Sequence, residues 1–381
     1  MSRPFVSLLA LAALAALVPS VSACKGGSKR KPATAQDGGA VVSDAGAASV
    51  DAPSAPAVDL SFVRGTIVSA AERDDRVVPL HLDVATGAWT PLGSSSKSSL
   101  FPTGHVVRGA MLAIATEGET QADHVEQLAL VRGAVIELFG PRAGAVRNPT
   151  VSAAGDVIVV ETSENNFRDL YKIDDAGKSS RLTDNREGNF EPSLSGDGHA
   201  VAFSSSRDGD AEIYRVPMKG GPATRLTAFH KDDWSPLWSP TSDMIAFLSD
   251  REGPPRLFLM AADGTGQRRA TSETDVDVAE DLPRWSPDGT QLAFVRGGGL
   301  HQSLLILDVA TGTTRTLTPD LFTDSDFAWS PDGAHLVAIR TDVHVVRSMP
   351  VGDVVIIAAK DGAVVAKLGT AAGVRFVRWL P

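Results

Sequence analysis

Carboxylates recur in four segments of the chain that are spaced roughly one structural repeat apart. The segments hold Asp184, Glu187 and Glu191; Asp232 and Asp233; Asp275, Asp277, Glu280 and Asp281; and Asp320, Asp324 and Asp326. Oxygen ligands of this kind suit a divalent cation or the basic groups of a peptide. Seven of these acids are predicted binding residues: Asp232, Asp233, Asp277, Glu280, Asp281, Asp324 and Asp326.

Arginines in three other loops offer a structural explanation for the same acids. Arg73-Asp74, Arg207-Asp208-Gly209 and Arg251-Glu252-Gly253 stand at equivalent points of three repeats. These arginines could pair with the neighbouring carboxylates and hold adjacent units together, since paired charge networks often serve structure. The acids outnumber the arginines, so both explanations stay open.

Catalytic motifs are missing from the sequence. It contains no Gly-x-Ser-x-Gly, no Gly-Lys-Ser/Thr phosphate loop and no His-Glu-x-x-His. Its eight histidines are scattered, and the pair Asp275 and Asp277 lacks the spacing of a calcium loop. We therefore predict a non-enzyme with no catalytic residue, no protein-bound metal and no cofactor, a structural or channel Ca²⁺ being the one exception left open. The alternative is a polysaccharide lyase or hydrolase, metal-dependent or not, that acts at the acidic segments.

A repeated strand-turn-strand motif defines the elements that carry these acids. It stands at Asp281–Gly297 as "DLPRWSPDGTQLAFVRG", and returns at 327–340 and 235–250. The slots of Val151, Leu194, Trp238, Trp285, Trp329 and Trp379 follow one another at intervals of 43 to 50 residues. This is close to the period of a four-stranded propeller blade, and the short apolar runs such as Leu292-Ala293-Phe294 are typical of strands buried on both faces.

These motifs resemble the TolB-type, WD-like β-propeller repeat. The likeness is strong over four units, 189–368, weaker over 148–184, and limited to spacing further upstream, where Arg-Gly replaces Asp-Gly at the turn. It implies an all-β fold with a single propeller, and the tally of units predicts seven four-stranded blades. The terminal "RFVRWLP" would close the ring as the first strand of the blade that begins near Gly65. "VDLSF" at 58–62 is the competing first strand.

The beginning of the chain predicts export and lipidation. A short basic start, an apolar run at 5–18 and the sequence Val-Ser-Ala-Cys resemble a bacterial lipoprotein signal, with Cys24 as the lipidated residue. Cys24 is the only cysteine. We divide the chain into a signal peptide (1–23), the lipidated cysteine with a disordered linker (24–58), and the propeller (59–381). Cleavage after Ala23 without lipidation is the plainer alternative.

The net charge of the chain and its predicted location limit the kinds of partner that it could bind. The net charge is −10 with a pI near 5.3, which argues against nucleic acid. Lys25 follows the cysteine, and in bacterial lipoproteins a residue other than Asp there usually directs the protein to the outer membrane. The prediction is an outer-membrane lipoprotein with its propeller in the periplasm or at the cell surface. It would be a non-catalytic platform for an envelope protein or a basic peptide segment, touching the membrane through the lipid.

Overall fold

The computed structural model describes residues 59–73, 76–93, 98–118, 123–143, 145–164, 167–274, 277–298, 301–318, 322–342, 352–368 and 376–381. These residues form 28 β-strands and no helix. The described part of the chain accordingly contains no helix that could cross a bilayer. Residues 1–58 lie outside it, so the predicted signal peptide, Cys24 and linker stay predictions.

Seven four-stranded antiparallel sheets make up the molecule, as predicted. In chain order the first three are β1 (Thr66–Arg73), β2 (Arg76–Asp83) and β3 (Ala88–Pro91) with the last strand β28 (Val377–Leu380); β4 (Ser99–Val107), β5 (Ala110–Glu117), β6 (Val125–Arg132) and β7 (Val135–Ala143); and β8 (Val146–Val151), β9 (Ile158–Glu164), β10 (Phe167–Ile173) and β11 (Ser179–Arg181). We call them blades 1 to 3.

The remaining blades follow the same plan. Blade 4 holds β12 (Asn189–Leu194), β13 (Ala200–Ser205), β14 (Glu212–Pro217) and β15 (Thr224–Arg225); blade 5 holds β16 (Asp233–Trp238), β17 (Met244–Ser249), β18 (Arg256–Ala261) and β19 (Arg268–Arg269). Blade 6 holds β20 (Ala279–Trp285), β21 (Gln291–Gly298), β22 (His301–Asp308) and β23 (Thr314–Thr316); blade 7 holds β24 (Phe322–Trp329), β25 (His335–Asp342), β26 (Asp353–Ala358) and β27 (Val364–Lys367). A single parallel pair, Gln302 with Thr323, also links blades 6 and 7.

The hydrophobic core lies between the blades because each middle strand is covered on both faces. Val201, Phe203, Phe247 and Phe294 are fully buried, and each cluster combines residues of neighbouring sheets. The first strands of adjacent blades contact one another all the way round, including β28 with β4. They therefore form the inner wall of the ring, around its axis.

The two chain ends close the ring. β28 pairs antiparallel with β1, Trp379 opposite Ile67 and Val377 opposite Ser69. The described residues of the competing segment, 59–62, form no strand; Leu60 is instead buried beside Trp379 in the core. Closure by "RFVRWLP" is thus confirmed. A closed sheet ring leaves only the short outer strands unpaired.

The Ser-Pro-Asp-Gly turns and the tryptophans have structural roles. At Ser286 the hydroxyl donates to Asp288 at 2.6 Å, and Gly289 has the positive φ of 69° that this tight reversal requires. Trp285 and Trp329 each donate their indole N–H to a first-strand carbonyl of the preceding blade, that of Leu237 (3.0 Å) and that of Arg284 (3.1 Å). Each of these two tryptophans therefore links its own blade to the preceding one.

Candidate functional site at the acidic mouth

The predicted binding acids lie in or just before the first strands of blades 5, 6 and 7. Because the chain reverses at each strand, the fourth-to-first and second-to-third connections share one face, which we call the mouth face. The Ser-Pro-Asp-Gly turns lie on the opposite face. Strands β16, β20 and β24 include Asp233, Glu280, Asp281, Asp324 and Asp326, whereas Asp232 and Asp277 precede their strands.

Asp233 is wholly buried and paired. Its Oδ2 accepts a hydrogen bond from Arg251 Nη2 at 2.6 Å, within the same blade. The Arg251 guanidinium lies over the rings of Phe258 (4.8 Å) and Phe229 (4.9 Å). Burial raises the pKa of the Asp233 carboxyl, and Arg251 opposes that rise. This aspartate stabilises blade 5 and offers nothing to an external partner.

Glu280 is equally buried and has a fuller set of partners. Its carboxylate accepts from Arg296 Nη2 at 2.8 Å, from the Thr271 hydroxyl at 2.7 Å and from the Leu257 backbone N–H at 2.9 Å. Leu257 belongs to blade 5 and Thr271 follows its last strand, whereas Arg296 belongs to blade 6. Glu280 therefore joins two blades, but through Arg296 and not through one of the three arginines named in the sequence analysis.

Asp326 connects blade 7 to the closing strand. Its Oδ2 accepts from the Val377 backbone N–H at 3.0 Å and from Arg378 Nη1 at 2.5 Å. The Arg284 guanidinium lies 4.0 Å from its other oxygen. This carboxylate thus holds the C-terminal strand in place beside the axis.

The other four predicted acids differ from these three. Asp277 is exposed, and Asp232 and Asp281 are half-buried. Asp232 accepts from the Ala211 N–H at 2.8 Å, and burial raises the pKa of Asp281. Asp324 pairs through its backbone with Arg340, and its side chain is outside the described residues. The acids that remain open to solvent at the mouth are therefore Asp232, Asp277 and Asp281.

A recurring clamp accounts for acids that the sequence analysis did not single out. In blade 3 Asp169 accepts from Arg181 Nη2 at 2.5 Å and from the Thr183 hydroxyl at 2.9 Å; in blade 4 Glu212 accepts in the same way from Arg225 (2.6 Å) and Thr227 (2.5 Å). The signal was present, because Arg-Leu-Thr ends both fourth strands. In both blades the acid that this arginine and threonine contact lies near the start of the third strand.

A second set of acids supports the bulges of the first strands. Glu191 and Ser235 stand before prolines at equivalent places and have positive φ angles of 52° and 49°. Glu161 accepts the Glu191 N–H at 3.1 Å, and Glu191 accepts the Ser235 N–H at 2.8 Å. Each carboxylate thus binds the strained backbone of the following blade. Burial raises the pKa of Glu191.

Below the acids, towards the opposite face, two arginines and a histidine stand on first strands. Arg284 and Arg378 occupy the position directly before the tryptophan in blades 6 and 1, and His105 lies near that level in blade 2. Burial lowers the pKa of His105 to about 4, and Arg378 and Arg284 contribute to the lowering. Arg284 and Arg378 flank one carboxylate, that of Asp326 in blade 7, at 4.0 Å and 2.5 Å.

No group of three or more His, Cys, Asp or Glu side chains within the described ranges is arranged to hold a metal ion. Asp275 is outside those ranges, and so is Cys24.

Comparison with known proteins defines the class of fold. The chain is a seven-bladed β-propeller, and residues 223–381 match the family model of the TolB beta propeller domain. A Protein TolB homolog from Chlorobium luteolum (strain DSM 273 / BCRC 81028 / 2530) is 32% identical over 165 residues, which are 43% of this chain and 37% of the relative. The match thus spans little more than a third of that relative's length. Over residues 223–381 the propeller is therefore similar to the TolB beta propeller domain.

Solved structures agree on the fold. TolB from Acinetobacter baumannii is 20% identical with a TM-score of 0.52, each chain covered to 82%. An oligogalacturonate lyase from Vibrio parahaemolyticus is 13% identical with a TM-score of 0.58, covering 81% of this chain and 87% of its own. At such identities the likeness shows the fold alone. The same fold occurs both in a TolB protein and in a lyase.

Proposed function

We propose that this protein is a non-catalytic binding platform of the cell envelope, with the mouth face of the propeller as its binding surface. One observation carries the proposal. All seven predicted binding acids fall within 223–381, the stretch that matches the TolB propeller domain. Among them, Asp277 is exposed and Asp232 and Asp281 are half-buried in the described structure. Such a rim suits a basic segment of an envelope protein.

The test separates binding acids from structural ones. A tagged propeller carrying Asp232→Asn, Asp277→Asn and Asp281→Asn is compared in pull-downs from envelope extract with the wild type. The matched control changes Asp175, Asp243 and Asp361 to Asn, an equal loss of charge on the opposite face. We expect the mouth variant to lose a partner that the control retains, with binding that weakens as salt is raised. If both variants keep every partner, the mouth is not the binding surface.

Membrane attachment at Cys24 is the second element of the proposal. The Val-Ser-Ala-Cys sequence supports it, and lipidation would tether the propeller to a membrane, with the outer membrane proposed from Lys25. Labelled palmitate should be incorporated by the wild type and not by Cys24→Ser. Incorporation by the serine variant would contradict the assignment without affecting the mouth.

A further inference from the structure

A cavity lies between blades 3 and 4, beside their outer strands. It has a volume of about 480 Å³. Sites for small molecules usually enclose about 300–1,000 Å³. Blade 3 lines the cavity with residues 181–184 at the end of β11, and blade 4 lines it with Arg207 and with residues 221–223 just before β15. The next junction, between blades 4 and 5, shows what this space lacks.

At the junction of blades 4 and 5 a glutamine bridges the two blades. Arg251 uses three of its nitrogens: Nε donates to Ser249 Oγ at 2.9 Å, and Nη2 donates to Asp233 at 2.6 Å. Its Nη1 donates to Gln267 Oε1 at 3.1 Å. The Gln267 amide in turn donates to the carbonyl of Leu226, which follows β15 of blade 4, at 3.0 Å. The glutamine side chain therefore occupies this junction.

Arg207 is the equivalent of Arg251 in blade 4, and it makes only two of the three contacts. Its Nε donates to Ser205 Oγ at 3.2 Å and its Nη2 to Asn189 Oδ1 at 2.5 Å. Its Nη1 has no hydrogen-bonding partner among the described residues. The reason is that Ala223, directly before β15, stands where Gln267 stands directly before β19. The cavity is the space that a longer side chain at Ala223 would fill.

The charge of the two arginines is also balanced differently. Arg251 forms an ion pair with Asp233, whereas Arg207 meets the neutral amide of Asn189 and forms no ion pair with a described carboxylate. The Arg207 guanidinium lies over the Tyr214 ring, 4.5 Å from its centroid, so its position is fixed. A fixed guanidinium with an unused donor and no paired carboxylate favours an anion over a neutral group.

The other arginine of the lining is already in use. Arg181 Nη2 lies 2.5 Å from Asp169 and 2.7 Å from Asp184, and its Nε donates to the Thr183 carbonyl at 2.8 Å. The contact with a ligand therefore depends on Arg207.

We propose that this cavity binds a small organic carboxylate, one oxygen of which accepts from Arg207 Nη1 as the oxygen of Gln267 accepts from Arg251. Hydrogen bonds between a guanidinium and a carboxylate are among the stronger ones in proteins. Leu182 and Pro222 of the lining suit a short aliphatic body. The site is separate from the mouth acids and does not depend on the proposed platform function.

Saturation-transfer NMR on the purified protein tests this, with sodium butyrate as the probe and butyramide as its neutral counterpart. The wild type should transfer saturation to butyrate and several-fold less to butyramide. Ala223→Gln supplies the side chain that Gln267 supplies at the next junction, so it should abolish the butyrate signal. Thr224→Gln, at the exposed neighbouring position on β15, adds a side chain of the same kind outside the cavity and should retain the signal.

Ala223→Gln also tests the geometry independently of binding. Because it fills a gap and gives Arg207 Nη1 an acceptor, it should melt at or above the wild-type temperature. The proposal is overturned if the wild type gives no butyrate signal, if the signal survives in Ala223→Gln, or if that variant melts lower than the wild type. Loss of the signal in Thr224→Gln as well would also overturn it. Equal signals from butyrate and butyramide would overturn the choice of a carboxylate.

Discussion

Two charged residues of strand β20 differ in their burial and in their hydrogen bonding. At the mouth end, Glu280 is fully buried and donors from two blades point to it. Four residues on, Arg284 is accessible and its side chain hydrogen-bonds to no described side chain. A buried charge with a complete set of partners stabilises the fold, because its removal leaves those partners without an acceptor. Arg284 keeps 39% of its side chain accessible, and its nearest carboxylate oxygen, Asp326 Oδ1, is 4.0 Å away, so its removal should cost the fold less.

The largest effect should come from Glu280→Ala. The change leaves Arg296, the Thr271 hydroxyl and the Leu257 N–H without their acceptor at a blade junction. We expect the free energy of unfolding to fall by about 3–5 kcal/mol, as for other buried ion pairs that lose one partner. Urea unfolding followed by tryptophan fluorescence measures it. Glu187→Ala, at an exposed acid of the loop that precedes β12 on the same face, should change the same quantity by less than about 0.5 kcal/mol. Similar losses in the two variants would erase the distinction between buried and open acids.

A smaller effect is expected from Asp326→Ala, because its carboxylate is slightly exposed and Arg378 can turn towards water. We expect a loss of about 2–3 kcal/mol from the missing charge-assisted hydrogen bonds. Since Asp326 holds β28, the amides that pair β1 with β28 should exchange hydrogen faster than those between β13 and β14. Hydrogen exchange by mass spectrometry compares the two regions. Uniform acceleration would mean that Asp326 is not specific to closure.

The blade plan could be predicted from sequence, whereas the acid network could not. Trp285, Trp329 and their Ser-Pro-Asp-Gly turns recur at a period that indicates a propeller, and the terminal Trp379 revealed the closure. The fate of an acid depends on donors distant in sequence: Glu280 and Asp277 are close neighbours in the chain, yet one meets Thr271 and Arg296 while the other remains exposed. The spacing of residues along the chain does not indicate which acid will meet these donors.

Arg284 illustrates the same limit. Its signal was a charged residue in the Pro-x-Trp slot, visible once blades are aligned. Its surroundings come from other blades, since Asp326 of blade 7 lies 4.0 Å away and pairs with Arg378 of blade 1. These three residues stand far apart in the sequence, and only closure of the ring puts them together.

The smallest effect concerns Glu191, an acid intermediate between the two ends of this comparison. Burial raises the pKa of its carboxyl above the unfolded value near 4.5, so the folded protein retains a proton that the unfolded chain releases. Its contribution to stability is therefore most favourable at low pH and is lost as the pH rises through the folded pKa. Glu191→Gln keeps an oxygen to accept the Ser235 N–H and has no charge to bury.

We therefore expect Glu191→Gln to be more stable than the wild type at pH 7, by on the order of 1 kcal/mol, and to show no gain at pH 4. Urea unfolding across this range gives both curves. The control is Glu187→Gln, at an exposed acid of the loop that precedes β12, and it should follow the wild type throughout. A Glu191→Gln curve parallel to the wild type would show that the carboxylate is well solvated despite its contacts with Ser204 and the Ser235 N–H.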